Sequence, residues 1–241
     1  MVLNKKILIV DDEKGLLDIL RLTLQKEGFN NIQCAETATD ALRLARETEF
    51  DLMLLDVMLP DFSGFDLCQE IRKFSYTPII FITALDTDFN QFTGLAIGGD
   101  DYITKPLKPL LIVSKVRAIL RRQEYITSQV MDNKAPVYSY SRFVLNMSDG
   151  TLMVNCEPVA CTAKELELLR FFCDNPNRVF TASQLYEAVW GLDSIGDDKT
   201  VIMHISTLRK KLGDNAKQPE IIINQRGIGY KFIPPKNEDA L

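Results

Sequence analysis

Ile7-Leu8-Ile9-Val10-Asp11-Asp12 decides the fold: four consecutive apolar residues run straight into two acids. An unbroken apolar run suits a strand buried on both faces, not one that alternates between core and water. The pattern returns at Leu52-Met53-Leu54-Leu55-Asp56, and again at Pro78–Thr83, with shorter strands near Ile32–Ala35 and Tyr102-Ile103. Helical patterns lie between them. Lys14–Glu27 places Leu16, Leu17, Leu20 and Leu24 at helical spacing before a stop at Gly28. Thr37 and Asp40 have the spacing of a capping box, with Asp for the usual Glu, opening a helix through Arg46. Further helices are expected over Phe65–Lys73, up to Gly98-Gly99, and over Leu110–Arg122. Strands and helices that alternate in this way predict an α/β domain with a doubly wound, five-stranded parallel sheet.

A length of 241 residues is too great for one small core and suits two. With 46% hydrophobic and 25% charged residues, the composition is that of a globular protein. No stretch is long and apolar enough to span a membrane, and the start, with Lys5-Lys6 before four apolar residues, is too short for a signal peptide's apolar core. The expectation is a cytoplasmic protein with no membrane partner. Five cysteines, at 34, 68, 156, 161 and 173, contain no Cys-x-x-Cys and read as core thiols in a reducing compartment. His204 is the only histidine, which argues against a zinc site and against Ser-His-Asp or Cys-His catalysis.

From about Gln123 to Pro136 the periodicity fades and the chain reads as a linker, which sets domains at 1–122 and 137–235 and a tail at 236–241. The second domain reads as α+β. Val137–Val144 and Thr151–Cys161 alternate like antiparallel strands around Ser148-Asp149-Gly150. Thr162-x-x-Glu165 and Thr181-x-x-Gln184 are capping boxes opening helices to Asp174 and Trp190, and a third helix runs from about Lys199 to Leu212. Ile221–Asn224 and Tyr230–Ile233 flank Arg226-Gly227-Ile228-Gly229, a hairpin. The net charge is −5, yet residues 199–231 hold seven basic residues against two acids, a local +5 suited to phosphates.

Asp11, Asp12, Asp56, Thr83 and Lys105 all stand at or just past the carboxyl ends of strands, where a parallel sheet gathers its chemistry. Clustered carboxylates repel unless a cation is present, and magnesium prefers oxygen ligands with one or two carboxylates. A carboxylate can also take a phosphoryl group as an acyl phosphate, provided the charge on the transferring oxygens is neutralised. In the last helix, Val201, Ile205, Leu208 and Leu212 form a core stripe, while Lys199, Met203, His204, Thr207, Lys210 and Lys211 lie on the other faces. A basic outer face suits the major groove, and a solvated amphipathic helix has the same spacing.

Asp11-Asp12, Asp56 with Pro60 and Gly64, Thr83-Ala84 and Lys105-Pro106 resemble, in order, the signature of a response-regulator receiver, a flavodoxin-like fold. The resemblance implies that Asp56 is the phosphoacceptor, and that Asp12, Asp56 and the Met58 carbonyl bind Mg²⁺ with Asp11 assisting through water. It further implies that Lys105 contacts the phosphoryl group, that the Lys105-Pro106 bond is cis, and that Thr83 and Tyr102 form a switch pair whose aromatic ring swings inward. Asn175-Pro176, Val189-Trp190-Gly191, Thr200-Val201, His204-Ile205-Ser206, Leu208–Leu212 and Arg226–Tyr230 resemble the winged helix-turn-helix of the OmpR/PhoB-type regulators. The two resemblances cover nearly the whole chain. They imply a two-component regulator loaded by a sensor histidine kinase, which dimerises on phosphorylation and binds double-stranded promoter DNA. Helix 199–212 would read the major groove with Thr200, Met203, Thr207 and Lys211 on the interface. Arg226 would enter the minor groove, and Lys199, His204, Arg209, Asn224 and Tyr230 would meet phosphates. The loop from Trp190 to Asp198 would meet RNA polymerase.

The chain departs from that family in two places. Ile202-Met203 stands where the family has Asp-Val, and Thr207 where it often has Arg. Losing that Arg removes a bidentate guanine contact and predicts reliance on thymine methyls and A·T-rich shape. On the dimer face, beside strand five and its flanking helices, Asp100 with Arg117 and Asp101 with Lys115 are expected to pair. A third pair is replaced by Gln91 and Leu111. Two rivals remain. An aspartyl-phosphate phosphatase needs a second Asp two residues after the nucleophile, where Met58 stands. A receiver that only dimerises, without phosphorylation, is disfavoured by the intact acidic set.

Overall fold

The computed structural model describes residues 4–84, 98–131, 136–191 and 198–236, the side chains of residues 122–131 excepted. The chain forms two compact units, divided between Glu124 and Tyr125. In the first, β1 (Lys6–Val10), β2 (Asn31–Ala35), β3 (Leu52–Asp56), β4 (Ile79–Thr83) and β5 (Asp101–Thr104) form a parallel sheet in the order β2-β1-β3-β4-β5. Ile7 pairs with Leu52, Leu55 with Phe81, and Thr83 with Thr104, so the carboxyl ends of β1, β3, β4 and β5 lie along one edge. β3 and β4 are buried at every residue, as a sheet covered on both faces requires.

The helices are α1 (Lys14–Lys26), α2 (Ala38–Glu47), α3 (Gly64–Arg72) and α4 (Pro109–Met131). Leu17, Leu20 and Leu24 of α1 pack with Ile7, Ile9, Leu52, Leu54 and Val116 in one core. Thr37 caps α2 by accepting the Asp40 N–H at 3.1 Å, while the Asp40 carboxylate turns to the Thr37 hydroxyl. The helix bridging β4 and β5 that was expected to end near Gly98-Gly99 lies mostly outside the described residues, as does Gln91. α4 overruns its expected end at Arg122 by nine residues, so the stretch read as linker is helical through Met131.

The second unit opens with an antiparallel sheet of β6 (Val137–Ser139), β7 (Phe143–Asn146), β8 (Thr151–Val154) and β9 (Glu157–Val159). There follow α5 (Ala163–Asp174), β10 (Val179–Phe180), α6 (Ala182–Trp190), α7 (Asp198–Lys211), β11 (Ile222–Gln225) and β12 (Gly229–Phe232). Both capping boxes form in full, at Thr162/Glu165 and Thr181/Gln184. β10, too short to show in the sequence, adds to the hairpin in the order β10-β12-β11. Gly229 takes φ 155°, and a Cβ there would sit 2.0 Å from the Phe180 carbonyl oxygen. Phe143, Phe172, Trp190, Val201, Ile205, Leu208 and Phe232 share one core.

Candidate active site and nucleic-acid interface

Asp11 and Asp56 are buried at the sheet edge, while Asp12 beside them is exposed. Carboxylate oxygens of all three lie within 4.8 Å of one another. Lys105, one residue past β5, reaches back to donate to Asp56 at 2.7 Å and Asp11 at 3.0 Å. The Lys105-Pro106 bond is cis. Backbone N–H groups fix the other oxygens: Glu13 donates to Asp11 at 3.0 Å and Met58 to Asp56 at 3.1 Å. Burial pushes the Asp11 carboxyl up to about 6; the Glu13 N–H and Lys105 pull it down, and the nearby Asp56 charge adds to the rise. Burial alone would lower Lys105, but its bonds to Asp56 and Asp11 outweigh that and raise it. Gly64 closes the turn after Asp56: a Cβ there would lie 2.0 Å from the Asp56 carbonyl oxygen.

Thr83 ends β4 next to this cluster and is buried. Tyr102, in β5, is buried. Met58 stands out from the site at 60% exposure.

Within one chain, the charges expected on the dimer face have partners of their own. Asp100 is buried, pairs with Arg72 at 3.1 Å and accepts the Ile79 N–H at 2.9 Å. Arg72 also donates to the Gly98 and Thr77 carbonyls at 2.7 Å each, a cluster that the sequence reading missed. Arg117 pairs with Glu27 at 2.5 Å. Asp101 and Lys115 bond to each other at 2.5 Å within one chain, both buried. Asp100 and Asp101 are therefore both buried, the first held by Arg72 of α3 and the second by Lys115 of α4. Among the described residues of this face, Leu110 is 84% exposed and Leu111 beside it half-buried, with Arg117 exposed as well.

α7 also buries more than one stripe. Thr200, His204 and Arg209 join Val201, Ile205 and Leu208 inside. His204 Nδ1 lies 2.9 Å from the Thr200 carbonyl, and its ring meets Trp190 edge-on at 5.0 Å. Arg209 donates through Nε to the Ile222 carbonyl at 2.9 Å and through Nη2 to Asn224 Oδ1 at 2.9 Å. Lys211 pairs with Glu165. His204 is thus corrected from the outer face to the core, and Arg209 and Lys211 from open cations to internal partners. Positions 201, 204, 205, 208, 209 and 212 make one broad face at helical spacing, which the narrower stripe concealed. Arg226 and Asn224 are exposed, Tyr230 is half-buried, and Ile228 N–H closes the turn onto the Gln225 carbonyl at 3.0 Å. No spacing or motif pointed to Lys164, which is buried against Glu167 at 3.0 Å and the Val189 carbonyl at 2.7 Å. Most of the loop from Trp190 to Asp198 lies outside the described residues.

A sheet edge with three carboxylates and a lysine, on a chain that ends in a winged helix, has close parallels among known proteins. Residues 7–135 match the response regulator receiver domain, and residues 156–232 match the C-terminal domain of transcriptional regulatory proteins. The chain belongs to the OmpR/PhoB-type response regulators. This response regulator is 43% identical over 231 residues to the transcriptional regulatory protein YvrH of Bacillus subtilis (strain 168), covering 96% of each. Among solved structures, a mutant of RitR superposes with TM-score 0.73 at 28% identity, over 96% of this chain and all of that one. The OmpR/PhoB homologue DrrB of Thermotoga maritima matches at TM-score 0.51 and 29% identity, over 95% and 99%. The regulator is accordingly a two-component transcriptional regulator, and its two domains imply a histidine kinase partner and DNA binding. Among the described residues no helix is long and apolar enough to cross a membrane.

Proposed function

We propose that Asp56 accepts a phosphoryl group from a sensor histidine kinase and that the acyl phosphate controls promoter binding. The observation that carries this is Lys105 bridging Asp56 and Asp11 at 2.7 and 3.0 Å, beside a third, exposed carboxylate at Asp12. Three carboxylates against one ammonium leave the cluster short of positive charge, and its donors are all hard oxygens. That set fits Mg²⁺, which Asp12, Asp56 and the Met58 carbonyl would hold with Asp11 assisting. When bound, the ion neutralises charge on the oxygens of the transferring group.

The chain's own residues do the rest. A carboxylate oxygen of Asp56 attacks phosphorus in line; the P–N bond of a kinase phosphohistidine breaks as the new P–O bond forms, and the departing imidazole takes a proton from solvent. Lys105 is already tied to the acceptor oxygen and moves to the phosphoryl group. The Thr83 hydroxyl follows, and Tyr102 is held inside, biasing a two-state equilibrium. Phosphorylated receivers then pair through the face carrying Leu110 and Leu111, where apolar contact replaces the charge pairs already satisfied within each chain. Two winged helices occupy half-sites about one helical turn apart, with α7 in the major groove and Arg226 in the minor groove. The loop before α7 is the surface offered to RNA polymerase.

Intact mass after incubation with Mg²⁺ and a small phosphodonor tests the chemistry. One added phosphoryl group is expected in the wild type, with none in Asp56→Asn and none when Mg²⁺ is chelated. No adduct under conditions that load other receivers overturns the proposal in favour of a receiver that only dimerises.

A further inference from the structure

The face that α7 turns to solvent runs through Lys199, Ile202, Met203, Ser206, Thr207 and Lys210, at steps of three and four. At its centre Ile202 is 41% exposed, a large apolar side chain with no core to enter, and Met203 is half-buried beside it. The only arginine of the helix, Arg209, is 8% exposed and turned away, its guanidinium held by the Ile222 carbonyl and Asn224. Neither Asn nor Gln lies anywhere on α7, and its only acid, Asp198, is at the first position and bonded to Ser183 at 3.0 Å.

Those side-chain types fix what the helix can read. A guanine is recognised by Arg or Lys on O6 and N7, an adenine by a bidentate Asn or Gln, and a cytosine by an acid on N4. Of these, only Lys199 and Lys210 stand on the outer face of α7, at its two ends and away from the central Ile202, Met203 and Thr207. The major-groove feature that apolar groups recognise is the 5-methyl of thymine, and the threonine methyl of Thr207 adds to it. We infer that this domain selects its half-sites by thymine methyls packed against Ile202, Met203 and Thr207, with no guanidinium reading guanine from the helix. The inference rests on α7 being the helix that enters the major groove. Lys199 and Lys210, at the two ends of the stripe, then serve the flanking phosphates. The remaining arginine of the interface, Arg226 at the wing tip, suits the narrow minor groove of A·T-rich flanks, where negative potential is greatest.

The test uses the full-length chain, loaded with a small phosphodonor and Mg²⁺, and a pool of random duplex DNA. The selected duplex is expected to carry thymines at the positions facing α7. Replacing each of these with deoxyuridine removes the methyl and leaves every hydrogen-bonding group in place. A loss of about fourfold per methyl is expected, the factor that corresponds to ~0.8 kcal/mol for one buried methylene-sized group. That loss should vanish in Ile202→Ala/Met203→Ala, with a melting curve to confirm that the variant is folded. Uridine substitution without effect, a guanine at those positions that cannot be exchanged for inosine or 7-deazaguanine, or a pool that yields no preferred sequence each overturns the inference. Ile202→Glu/Met203→Glu separates this from the underlying placement. Abolished binding with uridine insensitivity leaves α7 in the groove and rejects thymine readout. Unchanged binding shows that another element faces the DNA.

Discussion

At the edge of the receiver sheet, among the described residues, Asp11, Asp12 and Asp56 meet a single ammonium, Lys105. In the DNA-binding domain the opposite holds: Arg209, Lys211 and Lys164 each have an oxygen partner of their own inside the fold. The first arrangement leaves charge uncompensated at the place where we propose that a cation and a phosphoryl group bind. The second consumes basic residues that composition alone would assign to DNA. The local +5 of residues 199–231 therefore overstates the cationic surface, because a cation hydrogen-bonded to a buried carbonyl releases no counterion from a phosphate. A functional site differs from a structural charge cluster in whether its charges balance, not in how many it contains.

The largest expected effect concerns what each domain rests on. Gly64→Ala and Gly229→Ala each drive a Cβ to 2.0 Å from a carbonyl oxygen, of Asp56 and of Phe180 respectively. Each should cost about 3 kcal/mol. Trp190, the only tryptophan, lies in the second core, so its fluorescence in urea should report Gly229→Ala and be nearly blind to Gly64→Ala. Equal shifts in both variants would mean that the two units unfold as one.

Arg209 sharpens the comparison most directly. Arg209→Ala strands the buried Ile222 carbonyl and should cost about 2 kcal/mol by the same fluorescence. The slope of log affinity against log salt should stay unchanged, whereas Lys210→Ala, on the open face, should reduce it by about 0.9 and leave stability alone. A drop in slope for Arg209→Ala would break the distinction between internal and DNA-facing charge.

Asp11 tests the receiver side. Its carboxyl, raised to about 6 from an ordinary value near 3.8, binds a proton more tightly in the folded chain than in the unfolded one. In metal-free protein its contribution to stability therefore rises as pH falls from 7 through 6, and is complete below about 4. Asp11→Asn should flatten that part of the curve and raise metal-free stability at pH 7 by about 1 kcal/mol. Mg²⁺ should raise the melting temperature of the wild type more than that of the variant. Calorimetry with and without chelator checks both.

The smallest effect lies at the start of α2, where Asp61 accepts from the Ala38 and Thr39 N–H groups at 2.9 and 2.8 Å. Slight burial works against its charge, but these bonds, with the Thr39 hydroxyl and the Phe62 N–H, hold the carboxyl well below the usual range. Its stabilisation is present above the ordinary carboxylate pKa and is lost as pH falls through the lower folded value. Asp61→Ala should cost about 0.5–1 kcal/mol at pH 7, and less in strong acid, as urea titrations at the two pH values would show.

Much of the molecule was legible in the residues because its signals are local. An apolar run of four followed by Asp announces a buried strand and a polar edge wherever it falls. Thr162/Glu165 and Thr181/Gln184 fix helix starts within four residues. Other features were not legible. β10 has two residues and is a strand only because Val179 pairs with Lys231 and Phe180 with Tyr230. The stretch after Arg122 looked like linker because its apolar period fades, although the backbone stays helical through Met131. Asp100, Asp101 and Lys115 looked like surface charges because nothing in their spacing says which way a strand end faces.

The sequence by itself determined the order of elements, the two-domain plan and the set Asp11, Asp12, Asp56, Thr83 and Lys105, since a parallel sheet brings the ends of its strands together whatever their separation in the chain. Only the tertiary structure decided where each charge finds its partner: Asp100 on Arg72, Asp101 on Lys115, Arg209 on the Ile222 carbonyl. The physical reason is range. Burial and helical period are written in neighbouring residues, whereas an ion pair or a hydrogen bond to a distant carbonyl depends on a few ångströms between segments that only the packed core brings together.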